Sequence, residues 1–491
     1  MMLKKIRRTL AFIMLVFATL LFLDFTGTVH AFLGWVAKIQ FVPAVMAGSA
    51  AVIVAIVALT LILGRVYCSV VCPLGILQDL IAWMGKKAKK NRYAFSPVRT
   101  LVRMSFLVAF LITTGGVVSH LLEPYSAFGR IISNLLQPLW LWGNNFLAYL
   151  AERADSYAFY ETDVWMRSAT TLSVAVVTLI LIAVFAWRGG RTYCNTICPV
   201  GTILGILARY SWLKPVIDTD KCNGCRLCER NCKGGCIDAQ NHTIDYSRCV
   251  VCMDCVARCK RGAISYARPS KVVVAPKADE KPTSESRRAF LVGSLTLAAS
   301  ATVQAQKKKV DGGLAVIQDK VASERQTPIL PPGAQNDRHF RQACTACQLC
   351  VSVCPNHVLR PSNDLSRLMQ PEMSFERGYC RPECTKCSEV CPTGAICKLS
   401  REEKSSTQVG HAVWIKENCL AFTRGERCDN CARHCPAGVI QMVEHPDAKK
   451  GRKIPVVDAE RCIGCGACEN LCPARPFSAM CVEGHKTQKT I

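Results

Sequence analysis

Four stretches of the 491-residue chain are apolar for close to the roughly 20 residues that a helix needs to cross a bilayer. They run from about Thr9 to Phe25, Ala44 to Leu63, Leu101 to Val118 and Ala169 to Trp187. Beyond the fourth, long apolar runs give way to short segments of mixed polarity. The pattern predicts a four-helix transmembrane bundle over residues 1–215, followed by domains of a different kind.

Charge orients the bundle. Lys4, Lys5, Arg7 and Arg8 precede the first run, Lys86, Lys87, Lys89, Lys90, Arg92 and Arg99 lie between the second and third, and Arg188 and Arg191 follow the fourth. The loop from Ser119 to Trp165 has only Arg130 and Arg153 against Glu123, Glu152, Asp155, Glu161 and Asp163. Because basic residues collect on the cytoplasmic side, both ends of the bundle are expected there. The first run also reads as a cleaved signal peptide, with Val29-His30-Ala31 as a weak site. Its length, and the lack of a small-x-small site directly after it, favour retention.

The second and fourth runs end in the same device. RVYCSVVCPLG, Arg65 to Gly75, is echoed by RTYCNTICPVG, Arg191 to Gly201. Each copy follows an out-to-in helix, so a helix hairpin has been duplicated and its cysteines lie at one membrane edge. Within a pair the cysteines stand at i and i+4, one face of a helical turn, and the following Pro suits a chain starting a new helix. Cys68, Cys72, Cys194 and Cys198 are either buried thiols of a repeated structural motif or a redox-active, quinone-adjacent catalytic site. Haem has no visible ligands in this half. Its only histidines, His30 and His120, lie near the outer helix ends, and no C-x-x-C-H occurs.

Of the 31 cysteines, 27 follow residue 215. Cys222, Cys225, Cys228 and Cys232, then Cys249, Cys252, Cys255 and Cys259, form two C-x-x-C-x-x-C-x-x-x-C motifs. Three sulfurs so close along the chain suit the corners of an iron–sulfur cubane better than separate disulfides. In a two-cluster ferredoxin the fourth Cys of each motif ligates the other cluster. This assigns Cys222, Cys225, Cys228 and Cys259 to one, and Cys249, Cys252, Cys255 and Cys232 to its neighbour, in a cytoplasmic domain over 216–268. Lys233 and Lys260 replace the usual Pro after the fourth Cys, and Cys236 competes with Cys232 as a ligand. Four further groups are Cys344, Cys347, Cys350, Cys354; Cys380, Cys384, Cys387, Cys391; Cys419, Cys428, Cys431, Cys435; and Cys462, Cys465, Cys468, Cys472. Each ends in Cys-Pro, and together they predict four cubanes over 339–491. The fold class is therefore multidomain: the membrane bundle plus α+β ferredoxin-like polyferredoxin domains with six [4Fe-4S] clusters. Zinc ribbons compete for such cysteines, but six successive groups disfavour them.

The formal charge of +25 raises nucleic acid as a partner. Cubanes with four thiolates carry about −2 each, so six remove about 12 charges, and much of the rest flanks apolar runs. Nucleic acid is excluded on that ground, and membrane lipid is expected instead.

Between the cluster domains lies a Pro- and Lys-rich linker, 269–285, and then SRRAFLVGSLTLAASATVQA over 286–305. Ser286, Arg287, Arg288, Phe290 and Leu291 match the twin-arginine export signature, with Val303-Gln304-Ala305 as a candidate cleavage site. Such export carries folded proteins, as a domain loaded with clusters in the cytoplasm requires. A second linker, 306–338, follows; the alternative is that 286–305 is itself ordinary linker with an accidental Arg-Arg, which leaves the last domain cytoplasmic.

The order of features resembles two families joined head to tail. Residues 1 to about 270 are similar to the NapH family, quinol dehydrogenase membrane components of periplasmic nitrate reductase systems, on the strength of the four helices, both Cys-x-x-x-Cys-Pro motifs and the two ferredoxin motifs. Residues from about 284 are similar to the NapG family, exported ferredoxin-type proteins with a twin-arginine leader and four cubane motifs. The resemblance implies a multi-pass protein of the bacterial inner membrane, with its second ferredoxin domain in the periplasm. It implies electrons drawn from the quinone pool, with quinol as donor, toward a periplasmic reductase or cytochrome. It also implies that the first and fourth motifs of the exported domain interleave, as do the second and third. Two rivals stand beside it: an assembly or repair factor that supplies electrons to a periplasmic metalloenzyme, and a membrane-tethered cytoplasmic polyferredoxin. No Rossmann fingerprint, Walker loop or H-E-x-x-H occurs, so the chain is at most a dehydrogenase component without a terminal reductase site.

Overall fold

A computed structural model of the chain describes residues 2–88, 93–268, 319–444 and 453–491. Two helices are long and apolar enough to cross a membrane, Met2–Leu23 and Ala169–Gly189. The other two apolar runs are broken. The second divides into Phe41–Met46 and Ala50–Leu63, and the third into Thr100–Ile112 and Val117–Leu122. Each break contains a glycine with positive φ, Gly48 at +64° and Gly115 at +79°, a conformation that side chains strain. The expectation of four continuous spanning helices is thus corrected to two long helices and two interrupted ones. At Gly115 the break admits a neighbour: a Cβ there would lie 2.8 Å from Gln342 Cα, so only glycine lets helix Asp337–Ala343 approach.

The repeated motif folds twice into a short hairpin of helices, Val66–Val70 then Pro73–Lys87, and Thr192–Thr196 then Pro199–Ala208. Pro73 and Pro199 stand at the first helical position, where a missing N–H costs nothing. Cys72 and Cys198 are the N-cap residues. The two cysteines of a pair therefore flank a helix–helix turn. They do not share one face of a continuous helix as their spacing suggested, because the proline cannot donate the next helical hydrogen bond.

The cysteine-rich parts are made of short pieces. Among the described residues all sheets are two-stranded and antiparallel. Lys214–Ile217 pairs with Ile264–Ala267 and closes the first part on itself. Thr407–Trp414 pairs with Met480–Thr490 in the second. Apolar volume is scarce: one core of the first part consists of Cys232, Cys236, Ile237, Ile244, Cys255 and Ile264. Domains with so little to bury rely on bound metal as a cross-link.

The two long helices join these parts. Lys4 Nζ near the start of Met2–Leu23 meets Asp254 at 2.6 Å, and just past its end Thr26 O accepts from Lys386 Nζ at 2.8 Å. Those 22 residues make about 33 Å of helix. Helix Ala169–Gly189 runs the other way, with Ser168 Oγ donating to Asn363 at 2.8 Å before it and Arg191 N donating to Lys233 O at 2.9 Å after it. The first cysteine-rich part covers one end of the bundle and the second covers the other. The expected linker 269–285, the twin-arginine segment 286–305 with Arg287 and Arg288, and residues 306–318 lie outside the described residues, as do Lys89, Lys90 and Arg92.

Candidate metal centres and the four-cysteine site

Four of the six cysteine groups share an unusual backbone. The second and fourth residues after the first Cys have positive φ: Gly224 and Arg226, Val251 and Met253, Ala346 and Gln348, Gly464 and Gly466. For Val251, β-branched at +51°, this is a costly conformation that its surroundings must impose. The turn aims backbone N–H groups at sulfur, as Ala346 N does at Cys344 Sγ over 3.4 Å, and such bonds favour a thiolate. A loop that folds back on itself in this way fits the surface of a cubane.

The structure also shows which cysteines meet. In the first domain Cys228 lies beside Cys222 and Cys225, and Cys255 beside Cys252, Cys249 and Cys232, the crossed set expected from the motif. Cys228 and Cys259 pack against the same small core. Cys236 Sγ is 3.4 Å from Cys232 Sγ, so both sulfurs occupy that corner. In the second domain Cys391 joins Cys344, Cys347 and Cys350, and Cys354 joins Cys380, Cys384 and Cys387. Likewise Cys472 joins Cys419, Cys428 and Cys431, and Cys435 joins Cys462 and Cys465. Interleaving is thus first with second and third with fourth. This corrects the first-with-fourth pattern, because sequence neighbours close the shorter loops. Cys380 N donates to Cys465 O at 2.9 Å, which sets the two pairs against each other. The first set meets the bundle beside Cys347, where Arg130 donates to Ala346 O.

Lys233, which stands where ferredoxin motifs usually have Pro, docks the first domain. Its ammonium is 3.3 Å from both Asp79 and Asp254. Asp79 also accepts from Arg191 Nε at 2.9 Å and Arg7 Nη1 at 3.3 Å. Replacing Lys233 by Pro would supply the common ferredoxin residue yet remove both ion pairs. The expected outcome is a first domain that keeps its clusters but loosens from the bundle, read as faster amide exchange over Val250–Arg258 with the visible absorbance unchanged.

The repeated motif closes around a pseudo-twofold centre. Arg65 Nη2 lies 3.8 Å from Cys68 Sγ and donates to Cys194 O at 3.3 Å. Arg191 Nη1 lies 3.8 Å from Cys194 Sγ and donates to Cys68 O at 2.7 Å. Each guanidinium touches its own copy and the other. Gly75 and Gly201 make room for this: a Cβ on Gly75 would reach Arg191 Nη1 at 2.5 Å, and one on Gly201 would reach Arg65 Nη2 at 2.9 Å. All four cysteines are buried and interact electrostatically, Cys72 with Cys194 and Cys68, Cys198 with Cys194, Cys72 and Cys68. The four catalytic candidates come together at one place. The sequence reading gave Arg65 no role and counted Arg191 only among the basic residues that flank the fourth helix, although their place three residues before each first Cys was a readable signal.

At the other end, helix Pro124–Ile131 carries the second domain. Arg130, fully buried, donates to His120 O at 2.8 Å and Ala346 O at 3.5 Å. Asn134 Nδ2 reaches Gln348 Oε1 at 3.1 Å. On the side of the four-cysteine site, Tyr193, next to Cys194 in the chain, donates to Leu122 O at 3.5 Å. Glu123 and Arg130, which act electrostatically on Tyr193, act on Cys347 or are acted on by it.

Comparison with known proteins follows the same division. A family model described as a 4Fe-4S binding domain matches residues 45–91 and 170–218, around the two hairpins. A second, described as a 4Fe-4S dicluster domain, matches 343–395 and 426–475. The chain is 35% identical over 178 residues to the ferredoxin-type protein NapG of Escherichia coli, covering 33% of this chain and 75% of that one. It is 32% identical over 201 residues to the methylamine utilization ferredoxin-type protein MauM of Methylorubrum extorquens, covering 39% and 86%. Over 158 residues it is 27% identical to the ferredoxin-type protein NapF of E. coli, covering 32% and 87%. No solved structure matches. The cysteine groups, the folded-back loops and these relatives define an iron–sulfur electron-transfer protein, and the chain belongs to the NapG and MauM family of ferredoxin-type proteins.

Proposed function

We propose that the chain is a transmembrane electron conduit of the bacterial inner membrane, which takes electrons from quinol and passes them to a periplasmic acceptor such as a nitrate reductase or a cytochrome. The observation that carries this reading is the docking of two cysteine-rich domains on opposite ends of one helical bundle. The basic residues around Lys4 and Lys86 assign the first end to the cytoplasm, and the second then faces the periplasm. Two long and two interrupted helices cross the bilayer, in keeping with the NapH resemblance. The contact of Lys4 with Asp254 supports retention of the first helix.

In this reading the ligand sets are Cys222, Cys225, Cys228, Cys259 and Cys249, Cys252, Cys255, Cys232 inside. Outside they are Cys344, Cys347, Cys350, Cys391; Cys380, Cys384, Cys387, Cys354; Cys462, Cys465, Cys468, Cys435; and Cys419, Cys428, Cys431, Cys472. Clusters so held supply one-electron carriers whose potentials the protein tunes. The chain itself contributes fixed spacing, burial and neighbouring charge.

Quinol binding is assigned to a cavity of about 480 Å³ at the cytoplasmic edge, within the usual range of roughly 300–1,000 Å³ for small-molecule sites. Val102, Phe106 and Phe185 line its apolar side, and Arg99, Asn195 and Cys232 its polar side. A ring entering between the helices would meet a cluster ligand at once. Filling the cavity with Val102→Trp should abolish quinol-dependent bleaching of the clusters while reduction by dithionite stays complete. Equal loss with both reductants, or with neither, would contradict the reading.

A further inference from the structure

We infer that Cys68, Cys72, Cys194 and Cys198 together hold one further [4Fe-4S] cluster, shared between the two hairpins and placed between the cytoplasmic and periplasmic cluster domains. The surroundings of the four cysteines carry uncompensated positive charge. Arg65 is fully buried, and its partners are Asn195 Oδ1 at 2.9 Å, Ser247 O at 3.0 Å, Cys194 O and Cys68 Sγ. No carboxylate within ion-pair distance of it occurs among the described residues. Arg103 adds a second buried cation, bonded to Ser247 Oγ at 3.1 Å. An isolated buried charge is costly unless an opposite charge accompanies it, and a cluster with four thiolates supplies a net negative charge. Arg65 Nε and Arg191 Nη2 are buried without a hydrogen-bond partner, donors that such an anion would engage.

The crossed guanidiniums tie the two hairpins into one pocket wall, so the four sulfurs belong to a single site. A lone zinc ion is a poor occupant: no three of the described cysteines, histidines or acids stand close enough together for a single metal ion. The same wide spacing holds for the cysteine groups with cubane motifs. A cubane spreads its thiolates over four iron corners, which both sets of cysteines suit.

Position then gives the site a role, which rests on the conduit reading. On one side Arg65 bonds Ser247 O and Arg191 N bonds Lys233 O, next to Cys249 and Cys232. On the other, Tyr193, Glu123 and Arg130 lead to Cys347. A one-electron carrier here closes the gap between the two cluster domains.

The test is iron and acid-labile sulfide per chain in the purified, anaerobically reconstituted full-length protein, compared with the double variant Cys68→Ser, Cys194→Ser. The native chain should hold about 28 iron atoms and the variant about 24, four for each cubane. A native value near 24 that the variant leaves unchanged would overturn the proposal. So would loss of zinc in place of iron. Should the variant fold poorly, the native count stands alone, and Cys72→Ser with unchanged circular dichroism repeats the comparison. The count uses no quinol, so its failure is distinct from failure of quinol-dependent reduction.

Discussion

Replacing Asp79 with alanine is expected to cost about 3–5 kcal/mol, the penalty for leaving buried cations without their partner. The Asp79 carboxylate binds Arg191, Arg7 and Lys233 at once. It thereby holds the first hairpin, the second hairpin, the N-terminal helix and the first cluster domain together. Burial by itself would raise its carboxyl, yet Arg191, Lys233 and Arg7 outweigh burial and hold it far below the ordinary value of 3.8. With the folded value depressed, this stability is fully present above 3.8 and fades only as the pH falls below it. The loss in Asp79→Ala should therefore be flat across neutral pH. Thermal unfolding in detergent, followed through cluster absorbance, measures it. The exposed pair of Asp218 and Lys221 is the control, because solvent screens an exposed ion pair and leaves it little net stability. Equal effects for Asp79→Ala and Asp218→Ala would mean that the buried network holds nothing together.

Gly129→Val is expected to disconnect the second cysteine-rich domain from the bundle. A Cβ at Gly129 would lie 2.6 Å from Cys347 O and 2.6 Å from Phe22 Cζ, inside van der Waals contact on both sides. Helix Pro124–Ile131 has no freedom to retreat, since Glu123 caps it through Tyr125 N and Ser126 N. The loop of Cys347 must move instead, against an overpacking penalty of about 1–3 kcal/mol. Quinol-dependent reduction of the second domain's clusters should slow severalfold as the loop of Cys347 is displaced from the bundle. Direct reduction of those clusters by dithionite should keep its native rate. Unchanged quinol-dependent reduction would show that electrons do not enter the second domain at Cys347.

Parts of this structure were legible in the sequence for a physical reason. Cysteine spacing is a local property, so which cysteines of a group stand together, and the crossing of Cys232 to the Cys249 group, could be read from the chain. Pairing among the four later groups is a tertiary property. It depends on which loops close on each other, and the spacing of Cys380 or Cys419 carries no trace of it. The helix breaks at Gly48 and Gly115 were visible only as single glycines in apolar runs, and hydropathy averages over them. At Gly115 the reason for the break is a partner, helix Asp337–Ala343, that lies more than 200 residues away in the chain. The hairpin motif held more than its cysteines showed. Arg65, Pro73 and Gly75 recur because the arginine crosses to the other copy, the proline starts the second helix and the glycine clears the path. Lys233 looked like a degraded ferredoxin position, and its meaning appears only beside Asp79.

The central claim is that one chain carries cluster domains on both faces of a membrane. Protease treatment of intact spheroplasts, with one tag at the C-terminus and a second inserted in the exposed turn at Asn241, tests it most directly. The account predicts that external protease removes the C-terminal tag and leaves the Asn241 tag protected until the membrane is opened. Protection of both tags would place all the cluster domains in the cytoplasm and contradict a transmembrane conduit.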